Sequence, residues 1–506
     1  MVLIYTQKRN ILLLGIVINQ SIKSSVVAYV GVALGFVNVL WLYTTFLTAE
    51  QIGLFRLIQS SAFLLATFGQ IGLGSSVVKF FPQFKEEKGF LGTALMGALI
   101  GFVLLLITTF LFKTGITTYF SSESALFVEY FGLTLAITLS LIFFQVLEAF
   151  CRSMLNIVLP TILRDLGLRV IISIAILLYG FGLISFDLSL YLVLAAYAIN
   201  AIVLLLYISV KKNLGFSFNP GYLKGGKLKE VLRYGFYSLL GAGGTQIILQ
   251  IDSVMVSGME GLDANGIYTI AFFIGVVIEM PKRAITQVSS ALISDSFSKK
   301  DMPAVQKLYR QTSINQMIIG SLLLLGIWSN IDNLYAFMPN GRIYSEGISV
   351  VLFIALGKLS DMIFGVNGEI IVMSKYYRFN VVAIGILAAS TIVLNFYLIP
   401  IYGIEGAAIA SFIAMLSFNL IKFIFVWVKF NLQPFSFKSL ILLLIIGVTI
   451  IGESLLPKFE LLLLDLVIRS ALITILLVLP TYYLKVSIEF NKVLESVFAR
   501  IGLKRI

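Results

Sequence analysis

Apolar residues arrive along this chain in runs of about twenty, the length that crosses ~30 Å of hydrocarbon at about 1.5 Å per residue. The pattern predicts fourteen spanning helices, over residues 25–48, 52–78, 90–112, 125–150, 160–181, 188–210, 231–258, 265–291, 313–329, 346–374, 380–399, 404–428, 437–452 and 461–484. Nothing between them is long enough for a soluble domain. The longest gap, 211–230, reads as a cytoplasmic linker. At the amino end, Lys8 and Arg9 precede the short apolar run ILLLGIVIN, which no small-residue cleavage site follows, so residues 1–24 read as an interfacial lead-in. At the other end, residues 486–503 place Ile488, Val493, Val497 and Ile501 near one face. That spacing predicts an amphipathic helix on the inner leaflet within a tail over 485–506.

The spans fall into two halves with an internal repeat. AEQIGLF at 49–55 precedes the second span and LDANGIY at 262–268 precedes the eighth. A shift of 213 residues superposes Gly53 on Gly266 and Phe55 on Tyr268. The expected fold class is therefore an all-α polytopic membrane protein of about 14 transmembrane helices, an N-lobe over 25–210 and a C-lobe over 231–428, with two more spans in 429–484. In transporters built from repeats, substrate sites lie near the membrane midplane at the repeat interface, and a site is expected there.

Basic residues alternate from gap to gap. Most of the 37 Lys+Arg fall in segments on one side, among them Lys79, Lys211, Lys212, Lys224, Lys227, Lys299, Lys307 and Lys375. The opposite gaps hold only Lys113, Arg342 and Lys458. The positive-inside rule then places both termini in the cytoplasm. Cytoplasmic loops beside anionic lipid also account for the net charge of +12, so no nucleic-acid partner is implied.

Composition removes several chemistries. The 506 residues are 59% hydrophobic and 12% charged, with a mean hydropathy of +1.00, far from a water-soluble domain. With no His there is no imidazole base or His metal ligand, and with Cys151 alone there is no internal disulfide or iron–sulfur site. No cofactor and no covalent catalysis are expected; H+ or Na+ coupling stays open.

Charges inside the spans are the candidate chemistry, because each basic residue costs about 2.5–3.5 kcal/mol at the bilayer centre and needs a partner or water. Eight lie inside: Arg56, Arg164, Arg169, Lys282, Arg283, Lys358, Lys422 and Arg469. Arg56 and Lys422 lie near span ends, within snorkelling reach of water. Glu279 stands i,i+3 from Lys282 and i,i+4 from Arg283, which predicts one helical face with a net positive charge, beside a bend at Pro281. Lys358 and Asp361 form an i,i+3 pair that is as readily self-satisfied as functional. Asp465 and Arg469, i,i+4, read as a structural pair. Arg169, about 14 Å deep, is the member of Arg164, Asp165 and Arg169 hardest to explain by snorkelling. Asp252 and Glu148 stand as unpaired acids suited to a coupling ion, with Glu279 and Asp361 as further charge partners.

Three segments carry a family likeness: AEQIGLFRLIQSSAFLLATFGQIGLGSSVVKFFPQF (49–84), DANGIYTIAFFIGVVIEMPKRAITQVSSALISDSF (263–297) and NFYLIPIYGIEGAAIASFIA (395–414). With them the chain resembles the polysaccharide (O-antigen-type) flippases of the multidrug/oligosaccharidyl-lipid/polysaccharide exporter superfamily. The resemblance implies two six-helix lobes around a cavity, and alternating access that moves an undecaprenyl-diphosphate-linked oligosaccharide from the inner to the outer leaflet of the bacterial inner membrane. It implies basic cavity residues on the second, seventh and eighth spans, among others, and Arg56, Lys282 and Arg283 fall on matching helices; Lys358 and Arg169 complete the expected anionic-headgroup set. Membrane lipids, a polysaccharide polymerase and glycosyltransferases are the expected partners.

Rival readings follow from the same residues. A cation-coupled antiporter of the multidrug and toxin extrusion branch has the same fold, but cationic drugs favour an acidic cavity. A flippase for the peptidoglycan-precursor lipid shares the substrate chemistry. A membrane polymerase or ligase would carry a sizeable outward loop, whereas the longest here, near 330–345, has Asp332 and Arg342 as its charges.

Overall fold

In a computed structural model, the described residues are Gln20, 23–84, Glu87, 89–212 and 218–500. The expected lead-in over 1–24 lies almost wholly outside them, as do part of the linker and the last six residues. The regular elements of the described residues are all helical. The principal ones are α1 (Lys23–Phe46), α2 (Ala49–Gly69), α3 (Leu73–Phe84), α4 (Phe90–Leu111), α5 (Phe131–Ser153), α6 (Leu168–Gly180), α7 (Phe186–Lys212), α8 (Lys227–Glu260) and α9 (Leu262–Gly275). They continue with α10 (Met280–Ser298), α11 (Met302–Ser329), α12 (Ile348–Ile363), α13 (Asn367–Val372), α14 (Tyr377–Phe430), α15 (Phe437–Ser454), α16 (Leu462–Tyr483) and α17 (Ile488–Arg500).

Eleven described helices are long and apolar enough to cross a membrane, or twelve if the bent pair around α12 and α13 is one span. The expected fourteen are not reached as continuous helices, for local backbone reasons. Over 160–181, a π-helical turn, Ile162–Gly167, interrupts the run before α6. The predicted spans 380–399 and 404–428 are merged in the 54 residues of α14, which reverses at Gly403, where φ is 57° and ψ −137°. Behind that turn a Cβ on Gly406 would lie 2.2 Å from the Leu398 carbonyl oxygen, so the two arms approach backbone to backbone. The predicted 346–374 bends by 51° between Ile363 and Asn367.

The chain divides into two compact units, Met1–Thr269 and Ile270–Ile506. In the first, α2 packs on α5 and α8, and its buried face includes Leu54, Leu57, Ile58 and Ala62. Thr48 starts α2 with a capping box: its hydroxyl accepts from the Gln51 N–H at 3.2 Å while the Gln51 side chain accepts from the Thr48 N–H at 3.1 Å. In the second, α11, α12, α15 and α16 enclose a core that includes Ile318, Met362, Leu442 and Leu477. The tail helix is α17, with Ile488, Val493 and Val497 all exposed, the apolar face expected of a helix resting on lipid; Ile501 lies outside the described residues.

The repeated segments pack on each other within the first unit. A Cβ on Gly53 would lie 1.8 Å from the Leu262 carbonyl oxygen, and one on Gly266 would lie 2.0 Å from that of Ala49. The 213-residue shift carries Ala49 onto Leu262 as well as Gly53 onto Gly266, so the two contacts are equivalents related by the repeat. Asn265 secures the crossing by donating to the Gly53 carbonyl at 2.9 Å. The shared glycine thus marks a backbone-to-backbone helix contact that no larger residue fits.

Gly53→Val is expected to cost at least ~1–3 kcal/mol, the range for overpacked interiors. Gly326→Ala, where an added Cβ meets nothing within 4 Å, is expected to be neutral or to gain up to about 1 kcal/mol in helix propensity. Thermal unfolding in detergent measures both, and equal midpoints for the two variants would contradict the close crossing.

Candidate functional site

Arg56 stands one residue after the repeated Gly53-Leu54-Phe55 and is partly buried rather than extended to water. It lies in electrostatic range of Tyr43, Tyr197, Tyr268 and Asp252. All four are buried, from α1, α7, α9 and α8 in turn. Asp252, 5% exposed, accepts a hydrogen bond from the Tyr268 hydroxyl at 2.9 Å. Two expectations change here. Arg56 does not snorkel, and Asp252 is not an unpaired acid: α9 brings the repeat's own aromatic, Tyr268, against it.

Glu148 is also partnered, with Arg164 at 2.6 Å, and Arg164 further contacts Asp165 at 3.0 Å. These groups border two cavities of the first unit. The larger, about 580 Å³, includes Gln70, Gln145, Gln246, Lys79, Arg152 and Glu148 in its wall. The smaller, about 250 Å³, adds Asn200, Arg164 and Gln250. Gln145, Glu148 and Gln246 line both, so the two adjoin. Gln70 donates to Gln145 at 2.8 Å, while the buried Gln250 Oε1 has no hydrogen-bond partner among the described residues. Side-chain amides supply donors and acceptors together, which suits hydroxyl-rich ligands. Sequence reading missed this lining because Gln carries no charge and has no diagnostic spacing.

Arg169 takes a different place from the one expected. Its guanidinium donates to the Gly31 carbonyl and lies 2.7 Å from where a Cβ on Gly35 would stand, while its own carbonyl accepts from Asn38 at 3.2 Å. It docks α6 on the glycine face of α1.

The second unit holds the densest charge cluster. Pro281 sits in the first turn of α10, where a missing N–H costs no helix bond, and a 3-10 turn, Val276–Glu279, precedes it. That junction turns Glu279 and Lys282 toward α12. Glu279 pairs with Lys358 at 2.6 Å, and Lys282 pairs with Asp361. The two i,i+3 pairs expected along single helices are therefore exchanged for two pairs between helices. Lys422 on α14 joins them: it is only 5% exposed, its ammonium lies 3.9 Å from the Phe418 ring centre, and it is in electrostatic range of Asp361 and Glu369. The expectation that Lys422 snorkels is wrong: its ammonium turns over Phe418 toward Asp361 and Glu369 and stays buried. Lys422 and Glu369 were both missed as cluster members.

Arg283 is exposed and has no recorded ion pair or hydrogen bond among the described residues. Gln287 and Ser294, also exposed, continue its face at helical spacing. An exposed Arg–Gln stripe on a spanning helix requires water or a polar ligand beside it, since hydrocarbon would charge each such group several kcal/mol. The remote set of Asp465, Arg469 and Glu453 is closed on itself: Arg469 meets Asp465 at 2.8 Å and Glu453 at 2.5 Å, and Asn333 donates to Asp465 at 2.6 Å.

Comparisons with known proteins give the family and the fold. The family described as "Polysaccharide biosynthesis protein" matches residues 18–293. No curated protein sequence matches. Among solved structures, the lipid II flippase MurJ in an inward closed conformation is similar at 16% identity and a TM-score of 0.72, covering 91% of this chain and 99% of that one. A multidrug resistance MATE family transporter of the MOP superfamily, inward-facing, is similar at 14% identity and a TM-score of 0.61, covering 79% and 94%. A MOP superfamily transporter from Pyrococcus furiosus, described as having a binding pocket of reverse polarity, is similar at 14% identity and a TM-score of 0.53, covering 82% and 95%. At these identities the likeness shows the fold, that of multi-pass membrane transporters.

A double-mutant cycle separates the exchanged pairs from the intrahelical ones. Glu279→Gln with Lys358→Met is expected to show a coupling of about 1–3 kcal/mol in detergent unfolding, and Glu279→Gln with Arg283→Ala close to zero. The reverse order would restore the single-helix pairing.

Proposed function

Because the chain belongs to the polysaccharide biosynthesis protein family, we propose that it is a flippase that carries an undecaprenyl-diphosphate-linked oligosaccharide from the inner to the outer leaflet by alternating access. The observation that carries this reading is Arg283. The half-buried Lys282 and Lys358 pair with carboxylates and the buried Lys422 has Asp361 and Glu369 in electrostatic range, whereas Arg283, on the helix of Lys282, is exposed with no ion pair or hydrogen bond among the described residues. A fixed guanidinium at membrane depth suits a diphosphate, because its planar fork replaces the hydration that a phosphate loses on leaving water. Arg56 is the corresponding cation of the first unit, in electrostatic range of three tyrosines and Asp252. The amide-lined cavities there suit the sugar portion, and the polyprenyl tail stays in lipid.

The same reading sets the surroundings. The protein works in the bacterial inner membrane with both termini in the cytoplasm, performs no covalent step, and passes its product to a polysaccharide polymerase after glycosyltransferases have built it. H+ or Na+ coupling is assigned to Asp252. Asp252 is the most buried of the four candidate acids, accepts a hydrogen bond from the Tyr268 hydroxyl and lies in electrostatic range of Arg56. A second reading, flipping of a peptidoglycan-precursor lipid, is favoured by the extent of the fold likeness to the lipid II flippase. It uses the same cations on the same diphosphate.

Arg283→Ala is expected to lower export of surface polysaccharide by roughly tenfold to a hundredfold, the worth of one charged hydrogen bond of about 1.5–3 kcal/mol, with membrane insertion intact. Arg283→Lys is expected to keep part of the activity. Normal export by stably inserted Arg283→Ala would refute the role.

A further inference from the structure

The first unit carries a second, chemically different recess. It is an apolar groove of about 530 Å³ between α3, α4, the 3-10 turn Pro220–Leu223 and the start of α8, with Phe80, Phe84, Phe90 and Tyr222 in its wall. The aromatic part is tightly built: the Tyr222 ring centre lies 4.8 Å from that of Phe84 and 6.0 Å from that of Phe90. Its far wall runs along exposed apolar side chains of a spanning helix, Ile100 and Leu104, so the groove opens along the hydrocarbon rather than into the polar cavities.

One end is basic. Lys224 is exposed and lines the groove, and the Lys227 ammonium sits 5.3 Å from the Phe84 ring centre. No carboxylate belongs to the described lining. An apolar slot along the hydrocarbon with ammonium groups at one end matches one molecular shape, an acyl chain beneath a phosphate.

We propose that this groove binds an anionic glycerophospholipid of the leaflet beside Lys224 and Lys227, one acyl chain lying against Phe84, Phe90 and Tyr222 and the phosphate resting on the two lysines. The bound lipid ties the start of α8 to α3 and α4. The inference is independent of the transported substrate, since it uses none of the residues assigned to transport.

Native mass spectrometry of the full chain tests it, with phosphatidylglycerol, phosphatidylethanolamine and undecaprenyl phosphate offered at equal concentration. Wild-type protein is expected to retain phosphatidylglycerol preferentially. Lys224→Gln with Lys227→Gln, both exposed positions, is expected to weaken that retention by about fivefold per lysine, roughly twenty-five-fold together. Equal retention of phosphatidylethanolamine, preferential capture of undecaprenyl phosphate, or phosphatidylglycerol retention unchanged in the double variant would each overturn the proposal. The unfolding midpoint of the double variant, expected at the wild-type value in lipid-free detergent, separates lost lipid from lost fold.

Discussion

Hydrocarbon offers no hydration to an ionised side chain, and that constraint organises the charged interior of this protein. Lys282 and Asp361, and Glu279 and Lys358, meet between helices rather than along them, so each pair also fastens α12 to the segment around Pro281. Lys422 adds a third helix to the same cluster, with its ammonium over Phe418 and Asp361 within electrostatic range. Breaking one partner of such a set leaves a charge without compensation, which is costlier than the pair is stabilising. Arg283 stands exposed beside the cluster, with no ion pair or hydrogen bond among the described residues.

The first unit meets the same constraint differently. Arg56 has buried phenols and Asp252 around it rather than a salt bridge of its own helix. The reason lies one turn away, where the repeated glycines bring α2 and α9 into backbone contact. That crossing fixes Tyr268 against Asp252 and so shapes the environment of Arg56. A repeat that sequence shows only as Gly followed by an aromatic thus has a packing cause and a chemical consequence.

How much of this was legible depended on whether the signal was local. Span positions, the repeat at 49–55 and 262–268 and the amphipathic tail follow from composition and periodicity, whereas the family likeness rests on the segments 49–84, 263–297 and 395–414, and the matching family and fold agree with that likeness. The exact number of spans did not follow, because a π-turn before α6 and the reversal at Gly403 change helix continuity without changing hydropathy. Partner choice was the other failure. Spacing of three or four residues shows which groups share a helix face, but two helices that each carry a Lys and an acid can pair within or between themselves. Only the placement of α12 against Glu279 and Lys282 decides that; in the first unit, the crossing of α2 and α9 likewise gives Asp252 its tyrosine.

The account stands on the claim that a lipid-linked saccharide crosses the membrane through this protein. The most direct measurement is sidedness: deplete the protein and ask whether the lipid-linked saccharide that accumulates in spheroplasts is reached by a membrane-impermeant glycan-modifying enzyme. The predicted result is accumulation on the protected inner face, with access restored when the protein is re-expressed. Accumulation on the accessible outer face would contradict the account and place the defect after translocation, at polymerisation or ligation.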